Sequence, residues 1–467
     1  MTIPVPRVSE NAPSPATAGP SATSARRWIV AIFAAGSVLQ VWMILRSWVY
    51  FDQVLLLRLG LRWALDHELV AWGKVITGGG AAPGCALQLA IGLPLSLWMD
   101  LRSPLLLVFV SHLVAGIVLV RLLWRTVAVE VALWFAVLYW LSPWRLFHGG
   151  FLWEPHLLLL PGALTLWTCF CLRAESPAAS SRPVLASLLL ASIVTVAPQL
   201  HASGALLGLH FVLLWLFRRV RPHLGGLMAG GLLGALPMLP AVRAFFAGEL
   251  PPWAPEGLSL GRLLGVHHVL KSALLWVRLS SAETWRRLLE TVFLRDYGGA
   301  VDAAPPAPSA WLWAGPLMAL AIASAALALI ANLRTLRSTA KEEGALRWLL
   351  DAARLALLAL LVATAVTPVS PQIRYLLVLL HFACLPVAVW LARTLPSAAR
   401  LARWGILALV LVRLPVALAL ALGHPMYRQP DDPVQRALLH GEGLERLELV
   451  PAPFGSGKER ELPVAPR

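Results

Sequence analysis

Charge is what this chain has least of. Charged residues make up 13% of its 467 positions, against 58% hydrophobic residues and a mean hydropathy of +0.72. That balance excludes a large soluble domain and describes a polytopic membrane protein. Cysteine is sparser still, with four in the whole chain. Cys85, Cys169, Cys171 and Cys384 lie in or beside apolar segments, unlike the dense framework of a small secreted domain, and the i,i+2 spacing of Cys169 and Cys171 points them apart on a helix. A metal or redox pair is thereby disfavoured, and no spacing of three or four ligands stands out elsewhere. No aromatic-basic binding module accompanies the net charge of +15, so the excess of Lys and Arg is read as membrane orientation and lipid contact rather than nucleic-acid recognition. An internal repeat, the mark of many transporters, is also missing.

What the chain has in abundance is apolar runs. About 20 apolar residues cross a hydrocarbon layer as a helix with every backbone polar group paired. Eleven segments are read as spans: 28–48, 103–121, 127–142, 156–172, 183–200, 204–218, 225–242, 311–331, 348–367, 375–393 and 403–422. Segment 84–99 is apolar but short, and a helix resting on the outer surface suits it at least as well as a span. Positive residues mark the cytoplasmic turns: Arg26 and Arg27, Arg121 and Arg125, Arg173 and Arg182, Arg218 to Arg221, Arg334 to Lys341, and Arg400 with Arg403. The amino terminus is therefore expected inside and the carboxyl terminus outside.

This gives residues 1–27 as a disordered cytoplasmic tail rich in Ser, Ala and Pro, 28–422 as the membrane domain, and 423–467 as an outward tail. Two outward regions, 49–102 and 243–310, interrupt the spans. In the first, a helix over 54–74 would align Arg58, Arg62 and Asp66 on one face and Leu61, Leu65, Leu69 and Trp72 on another, as a helix lying on the membrane does. In the second, 261–295 suits one or two helices carrying His267, His268, Lys271, Arg278, Arg286 and Arg287, a basic set fit for a phosphate or for anionic lipid.

Polar residues gather at the outward span ends. Asp52 follows the first span. Further along come Ser142-Pro143-Trp144-Arg145 with His148, Trp153 and Glu154, then Gln199-Leu200-His201, then Arg374-Tyr375. All lie on one membrane side, so they are placed to converge. In that order they make the chain resemble the bacterial family 39-like, polyprenyl-phosphate-dependent glycosyltransferases, relatives of protein mannosyltransferases and aminoarabinose transferases. The resemblance covers about 28–422 and includes Pro83-Gly84 before a short apolar segment.

The resemblance implies an all-α polytopic GT-C-like fold with about eleven spans and outward juxtamembrane helices. It implies multi-pass residence in a bacterial cytoplasmic membrane, with the active site facing the periplasm or exterior. It further implies an enzyme that moves a sugar from a polyprenyl-phosphate donor to a lipid, glycan or protein hydroxyl, with membrane lipids as its other partners. Asp52 would be the catalytic base, Arg374 and Arg145 would hold the donor phosphate, and Glu154, His201, Gln199, Tyr375 and His148 would line the substrate cavity. A divalent cation is compatible with this picture, and it implies no other particular cofactor. Two departures stand out: Gln53 follows Asp52 where an acid is usual, and His148-Gly149-Gly150 replaces a Tyr-Ser-Arg, removing a cation. The alternatives are a lipid or sugar transporter, and another lipid-linked glycan ligase or polymerase.

Overall fold

The computed structural model of the chain describes residues 22–47, 51–75, 81–174, 182–249, 266–293, 308–367 and 370–427. Helix α1 (Ala22–Leu45) leads to α2 (Phe51–Asp66), the paired strands β1 (Trp72–Val75) and β2 (Ala81–Pro83), and α3 (Ala86–Leu97). Next come α4 (Arg102–Thr126), α5 (Val129–Trp140), α6 (Pro143–Gly149), α7 (Leu159–Cys171), α8 (Pro183–Leu200), α9 (Ala205–Leu216), α10 (Leu224–Ala235) and α11 (Leu239–Phe246). The remainder is α12 (Val266–Ser280), α13 (Trp285–Phe293), α14 (Pro308–Ser338), α15 (Gly344–Val366), α16 (Leu380–Ser397), α17 (Arg400–Leu411) and α18 (Arg413–Gly423).

This is an all-α polytopic membrane protein. Among the described residues eight stretches are long and apolar enough to cross a membrane: Ala22–Leu45, Arg102–Thr126, Pro183–Leu200, Leu224–Phe246, Ala310–Lys341, Gly344–Val366, Ile373–Ser397 and Arg400–Gly423. Each of the eleven expected spans is helical, with 225–242 and 403–422 each made of two consecutive helices, but α5, α7 and α9 hold only 12, 13 and 12 residues. At 1.5 Å per residue these reach about 20 Å, less than a full hydrocarbon thickness. Helix α1 starts within the segment read as a tail, and residues 428–467 lie outside the described part.

The bundle has two distinct ends. At one, Arg219 pairs with Asp351 at 2.6 Å, its carbonyl accepts from Trp348 Nε1 at 3.0 Å, and Arg393 binds Glu342. At the other, the junctions after α6, α8 and α15 meet the first loop. Between the ends, helices α8 and α10 approach through Gly226, Gly230 and Gly234, whose missing side chains admit the carbonyls of Val184, Leu188 and Ser192. Small residues serve helix contact in lipid in this way.

One expectation is corrected. The first-loop helix stops at Asp66 instead of running to 74, because His67 takes a left-handed φ of 54° and the chain turns to extended structure. Leu69 and Trp72 thus leave the helical stripe, and Arg62 folds onto Glu68. Segment 84–99 gives the 12-residue α3, which crosses α2 where Gly60 meets Ile91 and Gly92. At about 18 Å it is too short to span. Gly84 has φ +88°, and a side chain there would strike the Pro237 carbonyl, which accepts from Cys85 N at 2.9 Å.

Segment 266–293 forms two helices, within the expectation for 261–295. Helices α12 and α13 make a hairpin that packs among α14, α15, α16 and α18. Trp276 Nε1 donates to Asn332 Oδ1 at 3.0 Å, Ala282 N to Ser324 Oγ at 2.9 Å, and Arg413 to the Ser280 carbonyl. Arg413 lies about 20 Å along α17–α18 from Arg400, so the hairpin tip sits deep in the bundle. It tolerates that depth because Arg278 pairs with Glu283 and Arg413 satisfies carbonyls at the C-terminal ends of both α12 and α17.

Candidate functional site

Three helix junctions build one polar cluster, and all three share a local design. Trp153, His201 and Gln372 are each in extended backbone, and each precedes a 3-10 turn: Glu154–Leu158, Ala202–Gly204 and Ile373–Leu379. A proline lies close to each break, at 155, 198 and 371: Pro155 opens the turn after Trp153 and Pro371 precedes Gln372, while Pro198 sits within α8 three residues before His201. The turns put Trp153 and Glu154, His201, and Arg374 and Tyr375 against one another.

Arg374 is the centre. Its guanidinium lies 4.3 Å from the ring centre of Trp153 and 5.0 Å from that of Tyr375, and its Nη2 donates to the Tyr375 hydroxyl at 3.1 Å. Its Nε is buried without a hydrogen-bond partner. The Tyr375 ring lies 5.1 Å from His201. From the first loop, Lys74 on β1 reaches in and binds Glu154 Oε1 at 3.0 Å, with both side chains largely covered. A planar cation between two rings keeps its edge available for a planar or tetrahedral oxyanion, which a free lysine does not.

Burial and nearby cations favour the neutral form of the imidazoles around this centre. Burial, then Lys74 and Arg374, push His201 down to about 4. His148 is held well below its usual value by burial first, then by His156, Arg287, Arg374 and His424. It sits in a box of Trp144, Phe147, Phe151 and Trp153, at ring separations of 5.1–6.2 Å, and neither of its nitrogens has a hydrogen-bond partner. Among the described residues no group of three or more His, Cys, Asp or Glu side chains is arranged to hold a metal ion.

Of the residues singled out from sequence, Arg374, Tyr375, His201 and Glu154 come together, with His148 behind Trp153. Two others are placed elsewhere. Arg145 is fully buried, donating to Gln40 Oε1 and to the Trp140 carbonyl at 3.0 Å from Nε, with its guanidinium 3.7 Å from the Trp140 ring centre. It clamps α1 to the end of α5. Gln199 Nε2 donates to the Gly234 and Thr195 carbonyls at 2.8 and 2.9 Å, joining α8 to α10. Position 52 belongs to α2, but the Asp52 side chain lies outside the described residues. Lys74 and Trp153 were not singled out from sequence as site residues. Lys74 stood among several charges in a long loop, with nothing local to pair it with Glu154.

An open groove of about 760 Å³ runs between the first loop, α3 and α10–α11, and none of its lining residues belongs to the cluster. Leu69, Leu89, Leu236 and Pro240 line it, and Arg243 and Glu249 stand at its edge. Ala71, also in its wall, directly precedes the strand that carries Lys74. No family model, curated protein or solved structure matches the chain.

Proposed function

We propose that the chain is a membrane glycosyltransferase that takes a sugar from a polyprenyl-phosphate donor at the periplasmic or outer face of a bacterial cytoplasmic membrane. The observation that carries this reading is the aromatic-clamped Arg374 beside Lys74, two cations and one carboxylate gathered where a lipid-borne anion can reach them. A phosphodiester brings one negative charge and matches the net +1 of Arg374, Lys74 and Glu154. The apolar groove lined by the same first loop suits the lipid tail.

In the reaction, Asp52 takes the proton of the acceptor hydroxyl as its oxygen attacks the anomeric carbon. The bond from that carbon to the phosphate oxygen breaks, and the electron pair leaves with the phosphate. Arg374 and Lys74 meet the extra charge as it develops, when their binding is strongest. Glu154 holds Lys74 in place until the phosphate competes for it. The cation lost at His148-Gly149-Gly150 is replaced in this scheme by Lys74 rather than by Arg145, whose donors are committed to Gln40 and Trp140.

A second reading, movement of an amphiphile without bond chemistry, is favoured by the α12–α13 hairpin, since re-entrant segments often line pathways in transporters. The deciding experiment uses the purified protein in lipid nanodiscs with a panel of polyprenyl-phosphate sugars and of lipid, glycan and peptide acceptors, read by mass spectrometry. Glycosylated product from at least one pair is expected. No product across the panel, together with donor translocation in reconstituted vesicles, favours the second reading.

A further inference from the structure

His201 is held in one tautomer. The Ser203 backbone N–H donates to its Nδ1 at 3.1 Å, and Ser203 Oγ lies 2.8 Å from the same nitrogen. A ring nitrogen that accepts a hydrogen bond carries no proton, so in the neutral imidazole the proton is on Nε2. Backbone geometry enforces this. His201 is extended at φ −162° and ψ 142°, and the 3-10 turn that follows brings the Ser203 N–H under its own ring.

The surroundings keep the ring uncharged. Lys74 faces it from β1, Arg374 and Tyr375 from the turn Ile373–Leu379, His156 from the turn Glu154–Leu158, and Ser203 from its own segment. The carboxylate of Glu154 is engaged by Lys74. A proton on Nδ1 would oppose the Ser203 N–H and add a third positive charge to the cluster. The Nε2 edge has no hydrogen-bond partner among the described residues.

We infer that His201 binds a phosphate oxygen of the lipid-linked ligand as a neutral Nε2–H donor, beside the two cations, and serves as neither a cation nor a proton acceptor. This rests on the lipid-phosphate reading of the site and assigns one of its three contacts. As the carbon–oxygen bond breaks and the phosphate gains charge, the Nε2–H bond shortens while the proton stays on nitrogen. A donor that does not titrate holds the same phosphate equally well across the neutral range.

The test measures binding of polyprenyl-phosphate glucose, whose phosphodiester keeps one charge from pH 5.5 to 8, to the full chain in nanodiscs. Wild-type affinity is expected to change by less than about threefold over that range. His201→Gln, which retains an N–H donor, should stay within about fivefold, and His201→Leu should bind roughly 10–100-fold more weakly. Nitrogen-15 NMR of labelled histidine should show the Nε2–H tautomer at His201 before and after binding. An affinity that tightens toward pH 5.5 in wild type but not in His201→Gln would overturn the inference, as would His201→Leu binding like wild type with an unchanged melting temperature. Binding lost in Arg374→Gln but kept in His201→Leu removes only the role of His201. No binding by wild type removes the lipid-phosphate reading and this inference with it.

Discussion

Replacing Arg374 by Lys keeps the charge and removes the plane. The loss divides into two parts. The first is stacking on Trp153 at 4.3 Å and Tyr375 at 5.0 Å, worth about 0.5–2 kcal/mol for a partly buried cation. The second is the Nη2 bond to the Tyr375 hydroxyl, which orients the guanidinium edge toward the ligand. Without either, the lysine head samples several positions, and the expected weakening of donor binding is about 1–3 kcal/mol, or roughly 5–150-fold. Arg374→Gln also removes the charge and should exceed roughly 100-fold. Affinity for a polyprenyl-phosphate sugar in nanodiscs checks both, with melting temperature as the control for folding. A Trp153→Leu partner completes a double-mutant cycle, in which about 0.5–2 kcal/mol of coupling is expected if Trp153 acts through Arg374. Binding by Arg374→Gln within threefold of wild type would refute the assignment.

Asp52→Asn should cut turnover by about 10²–10⁴-fold with donor affinity largely retained, measured as glycosylated product per enzyme; equal turnover would dismiss Asp52 as the base. Gly230→Leu would drive a side chain onto the Leu188 carbonyl in the α8–α10 contact, and a loss of about 1–3 kcal/mol or failure to assemble is expected in thermal unfolding. Burial alone would raise the Glu290 carboxyl, but His424 and Arg287 outweigh it and hold it at about 2. Its contribution is therefore complete above the ordinary carboxylate range and fades as pH falls toward 2, so Glu290→Gln should lower the melting temperature at pH 7 and differ little from wild type near pH 2. Cysteines placed at His67 and His267, in a chain with its native cysteines replaced, should react with an impermeant maleimide from the outer side and Lys341→Cys only from the inner side. Ser280→Cys should react from neither, because the hairpin tip is buried; labelling at 280 from outside would return α12 to the surface.

The helical, membrane-crossing character was legible because hydropathy acts over whole segments. The eleven apolar runs each became helical, and Glu154, His201 and Arg374, all read at span ends, came together. What failed did so where a single residue or a distant partner decides. The stop after Asp66 depends on the left-handed conformation of His67, which no periodicity announces. The packing of the α12–α13 hairpin rests on Arg413 and Asn332, contributed by α18 and α14, and in sequence those look like isolated polar residues in spans. Arg145 and Gln199 have the chemistry of a binding site but spend it on Gln40, Trp140 and Gly234, partners between 5 and 105 positions away.

The site-bearing junctions carry a signal that hydropathy overlooks. Each has a proline close to its break, and each break is an extended residue followed by a 3-10 turn. A continuous α-helix would present Trp153, His201 and Arg374 around its own axis and mainly toward neighbouring helices. Breaking the helix turns the local backbone aside, so that side chains from three separate crossings point across one space. The same break leaves a backbone N–H free, and at Ser203 that N–H fixes the His201 ring. Turn hydrogen bonds such as His156 N to the Trp153 carbonyl and Tyr375 N to the Gln372 carbonyl replace helical ones there. The features that interrupt the helices are thus the ones that orient the proposed phosphate contacts.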